Sequence, residues 1–429
     1  MKLDRSVLQI VVVVITLLLA TGAGLAQRTD CAADVDYVEQ AQSASAQGNL
    51  DLALSSYDCA LRTDAADTNL RLERMHTALL AGDFMTAYSD VFWLNNIVPE
   101  TILARLDDLR LADDQPELRA FLSIFAVLPD YELALSAAEA MITDDADSAF
   151  AYVIRAAAYE GIGDYELSDA AFEQASSLSP DDPQIFGLMA AAQFTTFNID
   201  GMRANAGRAL DLAPDIAGLY RLRGFTSMVR GEPAAALEDA NRAIELDPDY
   251  FAFYILRGNA HRASGSPESA LADFDQVVAL VPTSSFGYAL RAEVLHQMGE
   301  MAAAAADLAT AVELDTLERI EGAPLVIGEA VTVTMTFGRA FHLPFDAIPG
   351  ESLRVSAASI EANVVDPLVL ILGPDGTPLV YNDDADPDNG IYDAQVDDFM
   401  AAAGGTYTLV VSHALGGSEG EVEVLVTRD

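Results

Sequence analysis

The sequence is poor in lysine, cysteine, histidine and tryptophan. Lys2 is the single lysine in 429 residues, and lysine plus arginine number 23 against 67 acidic residues, a formal net charge of −44. With no basic stripe to neutralise phosphates, nucleic acid is excluded as a partner. The same balance opposes an anionic membrane surface. The five histidines, His76, His261, His296, His342 and His413, fall in no metal or triad spacing. No phosphate-cradling glycine loop and no zinc pattern occurs. Gly416 to Gly420 spells G-x-S-x-G, but it joins two terminal strand patterns with no helix after it, so it reads as a hairpin turn. These absences point to a protein that is not an enzyme. The acidity itself favours solubility and permits cation binding, and a saline habitat would give the same composition.

Long apolar runs are also scarce. The one at the N-terminus, Val7 to Leu19, follows Lys2 and Arg5 and precedes Gly24-Leu25-Ala26. That order reads as a secretory signal over 1–26. The run is short for a membrane span, and an uncleaved anchor is the alternative. Arg28-Thr29-Asp30 precedes Cys31, so a lipobox is not present. Export would expose the only two cysteines, Cys31 and Cys59, to oxidising conditions. A disulfide between them is expected, with two buried free thiols as the alternative.

What the chain does contain is a repeat. Residues 217–250 carry Tyr220, Gly224, Ala236, Ala240, Ala243 and Pro248, and 251–284 carry Tyr254, Gly258, Ala270, Phe274, Val277 and Pro282, each 34 positions on. The frame runs forward to 285–318 and back through 183–216 and 149–182 to a weaker unit at 115–148. After a 13-residue slip at 102–114 it resumes at 68–101 and 34–67. The residue types have physical uses. Gly258 lets a second helix approach, Ala270 is small where two helices cross, and Pro282 ends the second helix. Arginine at position 7 accompanies aspartate at position 23 in four units: Arg74/Asp90, Arg223/Asp239, Arg257/Asp273 and Arg291/Asp307. Position 7 lies on the first helix and position 23 on the second, which predicts an ion pair across each hairpin.

This spacing resembles the tetratricopeptide (TPR) repeat, a helix–turn–helix unit. The resemblance implies an α-helical solenoid of about eight repeats. In that family the first helices line a concave face that binds partner peptides through positions 2, 5, 9, 12 and 13. Carried over, the candidate partner-binding residues are Arg221, Phe225, Met228, Ile255, Asn259, Arg262, Phe286, Glu293 and His296. Phe150, Val153, Ala157, Glu160, Gln184, Gly187, Ala191 and Phe194 extend the same lining. It is apolar with a few polar anchors, which suits an extended peptide. The family's carboxylate clamp needs lysines, so chaperone-tail binding is not expected. The competing reading is that these residues pack against one another.

Near residue 319 the period changes to two. Val331 to Phe337, Leu353 to Ser356, Leu368 to Leu372, Tyr407 to Val411 and Val422 to Val426 read as strands separated by Gly, Pro and Asp turns. They predict a small antiparallel sandwich over 319–429. Asp366 to Gly376, Leu379 to Asp384 and Gly405 to Ser412 resemble the bacterial pre-peptidase C-terminal (PPC) domain over nearly all of 324–427. That resemblance implies a non-catalytic appendage of a secreted bacterial protein, in several cases tied to substrate or surface binding. Phe341 to Phe345 departs from the family pattern.

Asp384, Asp386 and Asp388 alternate in an acidic loop, a spacing that can converge hard oxygens on Ca²⁺. A calcium loop, completed by Asp393 or a backbone carbonyl, and a merely solvated acidic loop both fit. The first functional reading is therefore an exported, non-catalytic binding scaffold: periplasmic, cell-surface or extracellular. Its groove would hold a protein or peptide, and its sandwich would dock on a surface or cap the last repeat. The second is a glycan or matrix adhesion protein whose β-domain binds, Ca²⁺-dependently, to an envelope component or polysaccharide. Tyr381 and Tyr392 are its candidate exposed aromatics. If the acidic loop is a calcium site, calorimetry will show Ca²⁺ binding and millimolar Ca²⁺ will raise the melting temperature. Absence of both effects removes the site.

Overall fold

The repeat frame folds as helical hairpins. In chain order these pair α1 (Tyr37–Ala46) with α2 (Leu50–Thr63) and α3 (Thr68–Ala81) with α4 (Phe84–Ile97). Helix α5 (Pro99–Arg110) stands outside the pairing and takes up most of the frame slip. Pairing resumes with α6 (Pro116–Phe125) and α7 (Tyr131–Asp144), α8 (Ala149–Ile162) and α9 (Tyr165–Leu178), and α10 (Pro183–Thr195) and α11 (Ile199–Leu212). It ends with α12 (Ala217–Val229) and α13 (Pro233–Leu246) and with α16 (Ser285–Gln297) and α17 (Met301–Asp315); between them in the chain lie α14 (Phe251–Ala263) and α15 (Pro267–Leu280). The chain is thus a TPR-like helical solenoid followed by a β-rich region. The computed structural model describes residues 31, 35–64, 67–97, 99–110, 115–126, 129–315, 318–336, 339–361, 365–382, 393–413 and 419–428. The expected signal, the Asp384, Asp386 and Asp388 loop, Tyr392 and most of the Gly416 turn lie outside them. Among the described residues, no helix is long and apolar enough to cross a membrane.

Much of the acidic excess works locally. Asp36, Asp67, Asp130, Asp164 and Asp182 each sit at a helix N-cap and accept from backbone N–H groups of the first turn. Each satisfies an orphan donor and places negative charge at the positive end of the helix dipole. Position 15, the turn inside the hairpin, is glycine with positive φ at Gly48, Gly82, Gly163, Gly231, Gly265 and Gly299. In 183–216 the same position is Phe197, which holds φ 60 without glycine's freedom. Its ring meets Phe225 edge-on at 6.3 Å, so a ring contact offsets backbone strain of about 1–3 kcal/mol.

The cross-hairpin ion pairs form as charge-assisted forks. Arg74 donates to Asp90 at 2.9 and 2.6 Å, Arg223 to Asp239 at 3.1 and 2.6 Å, and Arg291 to Asp307 at 2.7 and 2.7 Å. Gly224 has the close approach expected of its position. A Cβ there would meet Leu256 at 2.7 Å and the Asp239 side chain at 3.1 Å. Cys31 and Cys59 are bonded, with Cα atoms 5.6 Å apart, tying the residues ahead of α1 to α2.

The chain divides into two compact units, the first ending at Ser264 and the second running from Gly265 to the C-terminus. Arg257 and Asp273, the fourth candidate pair, have one member in each unit. In the second unit α15, α16 and α17 belong with the β-region, and the reason is packing. Ala292, Ala304, Ala305 and Leu308 form one cluster with Ala340, Leu368, Leu370, Tyr381 and Val410 of the sheet.

That β-region has two sheets. One has the order β1-β3-β8-β5-β6, from β1 (Glu318–Glu321), β3 (Arg339–Ala347), β8 (Gly405–His413), β5 (Pro367–Leu372) and β6 (Pro378–Asn382). The other is β2-β9-β4-β7, from β2 (Val331–Met335), β9 (Gly420–Arg428), β4 (Ser352–Ser359) and β7 (Ala394–Met400). The pairing is not wholly antiparallel, because β1 runs parallel to β3. Val369 and Ile371 face the inter-sheet core, while Leu368 and Leu370 face the helices. Burial on both sides explains why β5 is an unbroken apolar run rather than an alternating one.

The Arg223–Asp239 fork gives a direct test. Asp239→Ala should cost about 2–3 kcal/mol in a urea melt, since it leaves a half-buried guanidinium unpaired. Arg223→Ala with Asp239→Ala should cost less than the two single losses summed. Strict additivity would mean that the pair is not coupled.

Candidate functional site

The candidate site lies in the first unit, on the face shared by the first helices of successive hairpins. It begins with α4, whose sequence has no polar side. Met85, Ala87, Tyr88, Val91, Phe92, Trp93 and Leu94 are all buried, and so are Thr86, Ser89 and Asp90. A helix that is apolar all round is packed on all sides. One side belongs to its own hairpin. Asp90 takes the Arg74 fork and a further bond from Arg71 at 3.3 Å, and the Arg71 guanidinium lies 4.1 Å from the Trp93 ring centre.

The opposite stripe, Phe84, Met85, Tyr88 and Phe92, has helical spacing and meets first helices far along the chain. Phe84 stacks on Phe150 of α8 at 5.0 Å. Tyr88 meets Phe125 of α6 edge-on at 5.2 Å. A Cβ on Gly187 of α10 would stand 2.8 Å from the Met85 sulfur, so glycine there lets α4 come close. Gln184 of α10 accepts from the Met85 backbone N–H at 3.0 Å and donates to Asp83 at 3.3 Å. Tyr250, at the N-cap of α14, donates to the Ser89 carbonyl at 3.3 Å.

Arg221 of α12 sits at the centre. Its side chain is 1% exposed, and its guanidinium lies 5.7 Å from the ring centres of both Phe92 and Phe194, within cation–π range. Burial pulls the guanidinium below its ordinary pKa, against the pull of Tyr88 and Tyr250. Burial likewise pushes the Tyr88 phenol up to about 12.

The carried-over residues of the first unit therefore share a face, but that face is not open along its centre. Arg221, Phe225 (0% exposed) and Ile255 (3%) are enclosed. Phe225 meets Phe194 edge-on at 5.1 Å. Met228 is half-buried against Ala236, Ala240, Leu256 and Ala260. Asn259 and Arg262 are half-buried, and Arg262 donates to Asn259 at 3.5 Å. In the second unit Phe286 and Glu293 are half-buried. His296 stands edge-on to Tyr381 of β6 at 5.3 Å, so the sheet covers it. Sequence reading missed Phe84, Met85, Tyr88 and Phe92. The available signal was a helix with no solvent face, carrying the only tryptophan.

Hairpins with a shared first-helix face define a class, the helical repeat proteins. Within it, residues 151–182 match the tetratricopeptide repeat family model. No curated protein matches the chain significantly. Among solved structures, a tetratricopeptide repeat protein from Parabacteroides merdae ATCC 43184 is 17% identical, covering 61% of this chain and 98% of its own, with TM-score 0.36. A thermophilic TPR protein from Thermus thermophilus, TTC0263, is 21% identical over 39% of this chain and 91% of its own, with TM-score 0.32. YrrB, described as a TPR protein with an unusual peptide-binding site, is 17% identical over 42% and 93%, with TM-score 0.34.

Glu160, on the first-helix face, gives the site a pH signature. Burial raises its pKa above the ordinary carboxylate value, although hydrogen bonds from Asn198 and Thr196 pull it back. A raised folded-state pKa favours the fold while the carboxyl is protonated, and that contribution is lost as pH rises through the raised value. Glu160→Gln stays neutral, so it should raise the melting temperature at about pH 8 and leave it nearly unchanged at about pH 4. Equal shifts at both pH values would show that burial of this charge is not the cause.

Proposed function

We propose that this chain is an exported, non-catalytic scaffold that binds a partner protein through the first-helix face of its solenoid. One observation carries the reading. The face already holds a helix, α4, through stacked aromatics, a buried guanidinium and backbone-directed hydrogen bonds. Surfaces that seat a helix through a row of side-chain anchors in this way are recognition surfaces. Half-buried Asn259 and Arg262, with exposed Val229 at the end of α12, continue the face where groups remain accessible.

The apolar run after Lys2 and Arg5 and the bonded Cys31–Cys59 pair support export. The sandwich, PPC-like in sequence, acts as the cap of the last hairpin. Its apolar outer face lies on α17, and the Tyr381 hydroxyl donates to the Ala292 carbonyl at 3.4 Å. Terminal repeats need such a cover because one neighbour is missing. The adhesion reading needs an exposed aromatic face, and Tyr381 is 7% exposed.

The test is affinity capture with the intact chain from Gln27, on envelope and spent-medium fractions, with and without Ca²⁺. A retained protein should be lost with Asn259→Ala plus Arg262→Ala and kept with Asp384→Ala plus Asp386→Ala. Retention of polysaccharide instead, Ca²⁺-dependent and lost only with the aspartate changes, would overturn the scaffold reading.

A further inference from the structure

In a repeat array each hairpin touches its neighbours, and the first-helix face is left for others. Here the second hairpin leaves that order. The Met85–Gln184 bond spans 99 residues and the Tyr250–Ser89 bond spans 161. Phe84, Tyr88 and Phe92 fall at i, i+4 and i+8 and enter the face as a row of three rings. Phe84 meets Phe150, Phe92 meets Arg221, and Met85 beside them meets Gly187, which are positions 2, 5 and 5 of three repeats. A segment of this chain thus engages its own solenoid as a foreign helix would.

The contact also has the composition of an interface more than of a core. A guanidinium, a glutamine side chain, two phenolic hydroxyls and the Asp83 carboxylate all lie in it. Each is a group that water can satisfy again after separation, and each adds little to a permanent core beyond what an apolar residue would give. Gly187 removes a side chain where α4 crosses α10, which sets the depth of a helix seat.

We infer that the face formed by α8, α10, α12 and the start of α14 is a receptor for an apolar helix presenting aromatic rings at i, i+4 and i+8. Helix α4 is its resident occupant, and the partner protein enters by displacing it. The inference rests on the scaffold reading and adds the chemistry of the partner and the competition that gates it.

The test uses the intact chain, amide hydrogen exchange and a soluble synthetic peptide with the sequence of residues 84–97. In the wild-type chain, amides of 84–97 should exchange through an opening that leaves 149–262 protected. Phe92→Ala weakens the resident helix and should tighten binding of the peptide by about tenfold or more. Gly187→Val should also release 84–97, yet abolish peptide binding, because it fills the seat itself. If 84–97 exchanges only with global unfolding, α4 is a fixed part of the core and the inference falls, whether or not Phe92→Ala folds. It falls equally if Phe92→Ala frees the helix and no peptide binds. A captured partner that leaves exchange at 84–97 unchanged would preserve the scaffold reading and overturn this inference alone.

Discussion

The burial of α4 on both sides is the constraint on which the first unit depends. Its hairpin side is fixed by Asp90 under two guanidiniums, and its outer side by Phe84, Tyr88 and Phe92 against first helices. Each buried ring contributes about 1.5–3 kcal/mol of transfer free energy. The consequence is visible on α10, where every residue from Ile185 to Phe194 is buried. A first helix in an open array would keep one face in water. Helix α10 has lost that face to α4, and the smallest residue, Gly187, lies at the crossing.

Charge is handled by economy of cations. With arginine as almost the only cation, several guanidiniums each hold more than one acid in a defined geometry. Arg74 shows this most fully. Burial works against its charge, but Asp90 and Asp58 together outweigh it and hold the pKa above its ordinary value. Arg291 does the same for Asp307 and Asp275 in the second unit. Lysine, a point charge on a flexible stem, would not make these forks. The unpaired excess of acid is spread over helix N-caps and the solvent side, where it opposes self-association.

Local spacing made the hairpins legible, because each contact that defines them lies within one or two turns of the frame. Arg223 and Asp239 are 16 residues apart and form the fork that their positions imply. Gly224 is small for the reason its place suggests. The strands around Val331, Leu353, Leu368, Tyr407 and Val422 were readable from alternation or apolar runs. Strands β1, β3, β6 and β7 were not singled out, and β1 pairs parallel with β3, which no local pattern marks. The seat of α4 was hidden for a related reason. Periodicity says that Arg221 and Phe225 point to the first-helix face, but not that residues 84–92 lie on it. The covering of His296 by Tyr381 is likewise a contact between a helical frame and a strand frame that share no period.

The reach of the Tyr250–Ser89 and Met85–Gln184 bonds also bears on how the polypeptide acquires its structure. A simple repeat array assembles hairpin by hairpin, each new one finding its neighbour already made. In this chain the second hairpin is synthesised early, yet the surface that buries its rings is complete only when Arg221 has emerged. Until then the row of Phe84, Tyr88 and Phe92 is only partly covered, and closing so long a loop is slow. For that interval the nascent chain displays an aromatic helix that invites association.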